Sequence, residues 1–155
     1  MYSHAGIDHD VRFGAEPGLT RAMPATFRYH RRAQFHETDL AGIVHFSWYF
    51  RYMEEAEHAL WRHVGLSISP PKPEFGFPRV NATCDFKAPL KFEDEFEVEI
   101  AVEAIGRRSV RYRCTLWRGT EVMATGAMTS ACVTSDETGA VRSIEVPDAV
   151  RSRLS

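Results

Sequence analysis

The stretch His36-Glu37-Thr38-Asp39-Leu40-Ala41-Gly42-Ile43-Val44-His45-Phe46-Ser47-Trp48-Tyr49 holds the residues whose types and spacing could do chemistry. An acid, Asp39, stands in a loop, a glycine follows, and a helix begins eight residues after the acid. The first N–H groups of a helix lack intrahelical acceptors and form the positive end of its dipole. They can therefore polarise a carbonyl oxygen and stabilise an oxyanion. A carboxylate beside them can direct water at that carbonyl or attack it directly. Gly42 lets the backbone turn sharply and come close to a ligand. A second reading fits the same residues: Asp39 closes a turn or caps the helix with its own side chain.

Other side chains carry similar pairs of readings. His45 reads as a polar loop residue near the site that could touch substrate. His36, Asp39 and His45 could be drawn as metal ligands, but nothing in the sequence supplies the partners that orient such ligands, and no metal is expected. His58 and His63 are five apart, off a shared helix face, and read as solvated. Glu54, Glu55 and Glu57 form a charged run that reads as a solvated or subunit-facing surface. Tyr49 reads as core, whereas Trp48 is open between core and the lining of a pocket. Arg107 and Arg108 share a tight turn, which is either ordinary hairpin surface or a clamp for anionic oxygens. Arg28, Arg31 and Arg32 read as a charged strand edge that blocks aggregation.

These residues need elements to position them. Phe27, Tyr29, Ala33 and Phe35 alternate with Arg28, His30, Arg32 and Gln34, so a first strand is expected over Phe27 to Phe35, with Arg31 breaking its apolar side. A helix is expected from Ser47 to Val64. Tyr49, Met53, Ala56, Leu60 and Val64 make one stripe, Ser47 is placed as N-cap and Gly65 as C′. After a proline-rich loop from Ser67 to Pro78, strands are expected over Arg79 to Phe86, Glu93 to Ile105, Ser109 to Trp117 and Glu121 to Thr134. Glutamates of the third and arginines of the fourth could pair across the sheet. One long helix with an antiparallel five-stranded sheet makes an α+β domain over residues 25–155. Residues 1–24 hold no persistent period and read as a mobile N-terminal extension.

Composition narrows the function. The 155 residues are 44% hydrophobic and 26% charged with a net charge of −2, so no basic field recruits nucleic acid. No apolar run approaches a membrane span, and the N-terminus lacks the apolar core of a signal peptide. Cys84, Cys114 and Cys132 are odd in number and form no C-x-x-C pair, as in a reducing cytoplasm.

Asp39-x-x-Gly42-Ile43-Val44-x-x-x-x-Tyr49, followed by Glu54, resembles the signature of hotdog-fold acyl-CoA thioesterases. It is most similar to the 4-hydroxybenzoyl-CoA thioesterase branch, and the Tol-Pal-associated thioesterases share it. Cys84 to Asp94, Arg107-Arg108-Ser109 and Arg142 to Pro147 are similar to further family segments. The resemblance covers about Phe27 to Pro147. It implies a hotdog fold, in which the sheet wraps the helix, and hydrolysis of an acyl-CoA to a carboxylic acid and CoA. Asp39 would be nucleophile or general base, the Phe46 N–H would bind the thioester oxygen, and Gly42 would shape the loop. Arg107 and Arg108 match basic residues that hold CoA phosphates. No cofactor is implied, and sites built between subunits imply a homodimer or homotetramer. The family often has His or Tyr at the position of Phe46 and Asn at that of Trp48, so Trp48 would reshape the acyl pocket. His45 follows Asp39 by six residues, whereas hotdog hydratases space the pair by five. Another branch uses a helical glutamate, which makes Glu54 the control for Asp39. The alternatives are an acyl-carrier-protein thioesterase and a module that binds acyl-CoA or an acyl carrier without hydrolysis.

Overall fold

The structure is a computed structural model that describes residues 26–155; the expected extension over residues 1–24 lies outside the described residues. Its main sheet is built from β1 (Thr26–Arg32), β2 (Arg79–Phe86), β3 (Glu95–Ile105), β4 (Ser109–Arg118) and β5 (Glu121–Ala131). The strands lie in the order β1-β3-β4-β5-β2, each neighbour antiparallel. Helix α1 (Ser47–His63) packs on one face of this sheet. Tyr49, Tyr52, Met53, Ala56, Leu60 and Trp61 of the helix are buried against Phe96, Val98, Ile100, Tyr112, Leu116 and Met128 of the sheet. Each large apolar side chain so removed from water contributes about 1.5–3 kcal/mol. Gly126 of β5 lies against Met53 of the helix and the backbone of β2. A Cβ there would stand 2.8 Å from the Thr83 carbonyl oxygen and 2.5 Å from Met53 Sδ.

The helix ends as its sequence specifies. Gly65 has φ +77°, its N–H donates to Arg62 O (3.0 Å), and the Leu66 N–H donates to Trp61 O (2.8 Å). These are the two bonds of a Schellman cap. Its start differs from expectation. Phe46 is the N-cap, at φ −53° and ψ −31°, and makes no side-chain cap bond, while Ser47 is already helical. The Ser47 hydroxyl bonds the His45 ring instead.

Three strand boundaries also move. β1 stops at Arg32, because the Ala33 N–H turns to Asp94 O and Glu93 N–H to Ala33 O. A short 3₁₀ helix, Phe35–Glu37, follows and leaves the Phe35 ring exposed. β3 starts at Glu95 because Glu93 sits at φ +67°. The expected fifth strand splits after Ala131. Its remainder, β6 (Val133–Ser135), pairs with β7 (Val141–Ser143) as a separate two-stranded sheet, and Val133 exchanges both backbone bonds with Gly76. A final helix, α2 (Asp148–Leu154), closes the described chain.

Charge pairing is redistributed as well. Of the β3 glutamates, Glu103 meets Arg111 of β4 (2.5 Å), while Glu97 and Glu99 bond Arg28 of β1 and Glu95 bonds Arg32. Glu57, expected at a solvated or subunit-facing surface, is 1% exposed. It lies against Arg79 of β2, whose guanidinium also bonds Ser130 (2.7 Å).

Candidate active site

The loop between β1 and α1 is a tight hairpin stitched by its own backbone. Thr38 and Val44 form an antiparallel bridge. The Asp39 N–H donates to Ile43 O (2.9 Å) and the Gly42 N–H to Asp39 O (3.0 Å). Gly42 has φ +77°, which a side chain disfavours although the space around it is open. Two outside contacts fix the loop: the Val44 N–H donates to Leu90 O and the His45 N–H to Glu37 O, both 2.8 Å. The Leu90 N–H donates in turn to the Tyr49 hydroxyl (3.3 Å).

Asp39 Oδ1 accepts the Ala41 N–H at 2.8 Å, so the turn-closing reading is correct for one of its oxygens. Among the described residues Oδ2 meets no donor. The helix start shows a similar selection. The N–H groups of Ser47, Trp48 and Tyr49 donate to His45 Nδ1 (3.3 Å), His45 O (3.0 Å) and Phe46 O (3.3 Å). The Phe46 N–H meets no acceptor among the described residues. The loop and helix start therefore offer a free carboxylate oxygen on Asp39 and a free amide donor at the helix N-cap.

Aromatic groups surround this end of the helix. The Phe46 ring is exposed and lies 4.5 Å from the His45 ring. His45 Nδ1 is tied to Ser47 Oγ at 2.8 Å, so the ring is oriented by the helix start. Half-buried Trp48 packs edge-on to His36 (5.3 Å). Exposed Phe35 and Phe92 stack edge to face at 5.7 Å, and half-exposed Phe86 meets Tyr49 at 5.0 Å.

Arg107 and Arg108 stand elsewhere. Their turn is held by α2, where Arg151 donates to Ile105 O and Gly106 O, and Arg153 of the same helix donates to Val64 O past the end of α1. The 17 residues of α1 separate that turn from the Asp39 loop, about 25 Å at 1.5 Å per residue. One chain does not bring these arginines to Asp39. Arg107 instead bonds exposed Glu145 (2.5 and 2.8 Å). Glu54 is exposed on α1, 3.9 Å from Arg79.

The cysteines offer no nucleophile. Burial pushes the Cys84 thiol up to about 11, and burial together with the Glu57 charge pushes Cys114 up to about 12. Among the described residues no group of three His, Cys, Asp or Glu could hold a metal ion, and no helix is long and apolar enough to cross a membrane.

The sequence reading missed Glu37. Its side chain is fully buried and bonds Arg31, Tyr52 and the Gln34 N–H. Arg31, the break in the apolar side of β1, was the available signal: a cation aimed at a core requires an acid beneath it.

The model of the Thioesterase superfamily matches residues 41–125. The chain belongs to the thioesterase superfamily. An Aquifex aeolicus protein assigned to the esterases is 46% identical over 83 residues, 52% of this chain and 64% of that relative's length. A 1,4-dihydroxy-2-naphthoyl-CoA hydrolase of Synechococcus elongatus is 27% identical over 114 residues, 72% of this chain and 84% of that one. The solved structure of a gentisyl-coenzyme A thioesterase superposes with a TM-score of 0.74 at 31% identity, covering 83% of this chain and all of that one. Thioester hydrolysis on a hotdog fold is thus the class of this thioesterase. Its Asp39 lies two residues before the matched span.

Proposed function

We propose that this thioesterase hydrolyses an acyl-CoA to a carboxylic acid and free CoA, with Asp39 as the acting carboxylate and the Phe46 N–H as oxyanion donor. The observation that carries the reading is the pair of unpartnered groups, Asp39 Oδ2 on the stitched loop and the Phe46 N–H at the helix start. As general base, Asp39 takes a proton from water as it adds to the carbonyl. Collapse of the oxyanion breaks the C–S bond, and the thiolate is protonated as it leaves. As nucleophile, Asp39 adds to the carbonyl, the C–S bond breaks with loss of the CoA thiolate to leave an acyl anhydride, and water hydrolyses the anhydride to the acid and the free Asp39 carboxylate. Either route develops negative charge on the oxygen facing Phe46, where a fixed donor lowers the barrier.

The aromatic rim of Phe46, Trp48, Phe35 and Phe92 favours an aromatic acyl group, as do the acyl groups named for the two relatives above. His45 and Trp48 would line that group. Arg107 and Arg108 of a second copy would hold the CoA phosphates, in a cytoplasmic homodimer or homotetramer. The β2 edge supports pairing with a second copy, because Val80 and Phe86 on it are half exposed and no strand covers its outer side among the described residues.

Thiol release from a panel of aromatic, short-chain and long-chain acyl-CoAs tests the reading. Asp39→Asn is expected to keep the fold and lose at least about 100-fold in kcat, with Glu54→Gln as the control near wild type. Wild-type turnover in Asp39→Asn would remove Asp39 from the mechanism. Indifference to free CoA as a competitor would point to an acyl-carrier-protein substrate.

A further inference from the structure

Glu37 stands two residues before Asp39, and the reaction described above makes no use of it. Its carboxylate is fully buried and accepts four hydrogen bonds. Arg31 gives two, Nη2 to Oε1 at 2.6 Å and Nη1 to Oε2 at 2.9 Å. The Tyr52 hydroxyl gives one at 2.6 Å and the Gln34 N–H one at 2.8 Å, both to Oε2. The Glu37 carbonyl oxygen takes the His45 N–H at 2.8 Å. One residue thereby ties together β1, the entry to the Asp39 hairpin, the middle of α1 and the residue before Phe46.

Arg31 is itself oriented twice more, by Glu55 of α1 (2.6 Å) and by the Tyr52 ring, 4.6 Å from its guanidinium carbon. A packed apolar cluster of equal volume would hold strand to helix at least as firmly as a buried ion pair. What the carboxylate adds is direction. Four bonds of fixed geometry hold the hairpin against the helix, and the two free groups of the site lie one on the hairpin and one at the helix start.

We propose that Glu37 is a positioning residue, whose clamp to Arg31 and Tyr52 sets the spacing between the Asp39 carboxylate and the Phe46 N–H. The proposal rests on the reading of Asp39 as the acting carboxylate. A displacement of about 1 Å between reacting groups costs on the order of 100-fold in rate while leaving substrate binding largely intact. Glu37 therefore acts on kcat, through the alignment of Asp39 with the Phe46 N–H.

The test uses the full chain and its best acyl-CoA, with a non-hydrolysable thioether analogue for affinity. Glu37→Gln is expected to lower kcat about 30- to 100-fold, with KM and analogue Kd within about threefold of wild type. Tyr52→Phe, which keeps the ring and removes one bond, should lower kcat about fivefold with the same split. Glu95→Gln, in a surface pair with Arg32 at the same end of the sheet, is the control near wild type. In the Asp39→Asn background, Glu37→Gln should lower residual turnover no further, because both changes act on one step. A folded Glu37→Gln with wild-type kcat overturns the proposal. So does a loss that appears equally in KM and Kd, or one that adds to the Asp39→Asn loss. If Glu37→Gln does not fold, Tyr52→Phe decides, and an unchanged kcat there overturns it. Full turnover in Asp39→Asn would instead overturn the Asp39 reading and this proposal with it, whereas a silent Glu37 beside an inactive Asp39→Asn defeats this proposal only.

Discussion

Asp39 gives one carboxylate oxygen to its turn and, on the proposed reading, the other to the reaction, which explains why residue type alone could not assign it. Oδ1 closes the Ala41 turn, as many loop aspartates do, and this leaves Oδ2 held in place and open. The oxyanion donor can be tested with comparable resolution. Phe46 sits at φ −53°, within the range a proline ring imposes, about −65°. Phe46→Pro therefore removes the N–H at little cost to the local backbone, whereas Phe46→Ala removes the ring and keeps the N–H. If that N–H stabilises the oxyanion, the proline variant loses about 100- to 1,000-fold in kcat. The alanine variant shows its change mainly in KM. Circular dichroism and thermal melts confirm that both fold. Equal kcat in the two variants would take the Phe46 N–H out of the reaction.

At the scale of elements, the Arg31–Glu37–Tyr52 cluster locks β1 and the loop onto α1, and this makes a pH prediction. Burial alone would raise the Glu37 carboxyl. The bonds from Arg31, the Gln34 N–H and Tyr52 outweigh it and hold the group below its ordinary value of 4.5. A carboxyl lower in the folded than in the unfolded chain stabilises the fold fully above the unfolded value. That contribution fades as pH falls below 4.5 toward the folded value. Thermal melts of wild type and Glu37→Gln should differ most near neutral pH and draw together as pH falls below 4.5. A gap that stays constant down to pH 3 would show that charge plays no part in the lock.

The same cluster marks where sequence reading stops. The stripe of α1 and the alternation of β3 and β4 are periodic within one segment, so they were legible. The tight loop at Asp39 and Gly42 and the helix start that follows it were legible because one short segment contains them. The end of β1 was not, since it depends on Ala33 bonding Asp94, and neither was the break in β5, where Val133 leaves to pair with Gly76. Glu57 looked solvated because its partner, Arg79, arrives from a distant strand. In each case the deciding bond joins residues far apart in sequence.

For the whole molecule, the separation of Arg107 and Arg108 from Asp39 is the decisive geometry. A length of α1 lies between them, so on the proposed reading these arginines would serve the site of another copy. The two sheet edges agree with that assembly. The β1 edge carries Arg28 and Arg32, paired with β3 glutamates, whereas the β2 edge carries exposed Val80 and Phe86. In the proposed two-fold dimer each site would take Asp39 from one protomer and the arginines from its partner. Subunit exchange tests this. Asp39→Asn and an Arg107→Ala/Arg108→Ala variant, each inactive or weak alone at low acyl-CoA, are unfolded together, refolded and assayed. A mixed dimer combines both defects in one site and leaves the other intact. Random pairing should therefore restore about a quarter of wild-type activity. Light scattering on the same samples should give the mass of a dimer or a dimer of dimers. A mixture no more active than its parents would show that Asp39 and these arginines do not meet across subunits. The phosphate clamp would then have to be sought among cations nearer the Asp39 loop, such as Lys91.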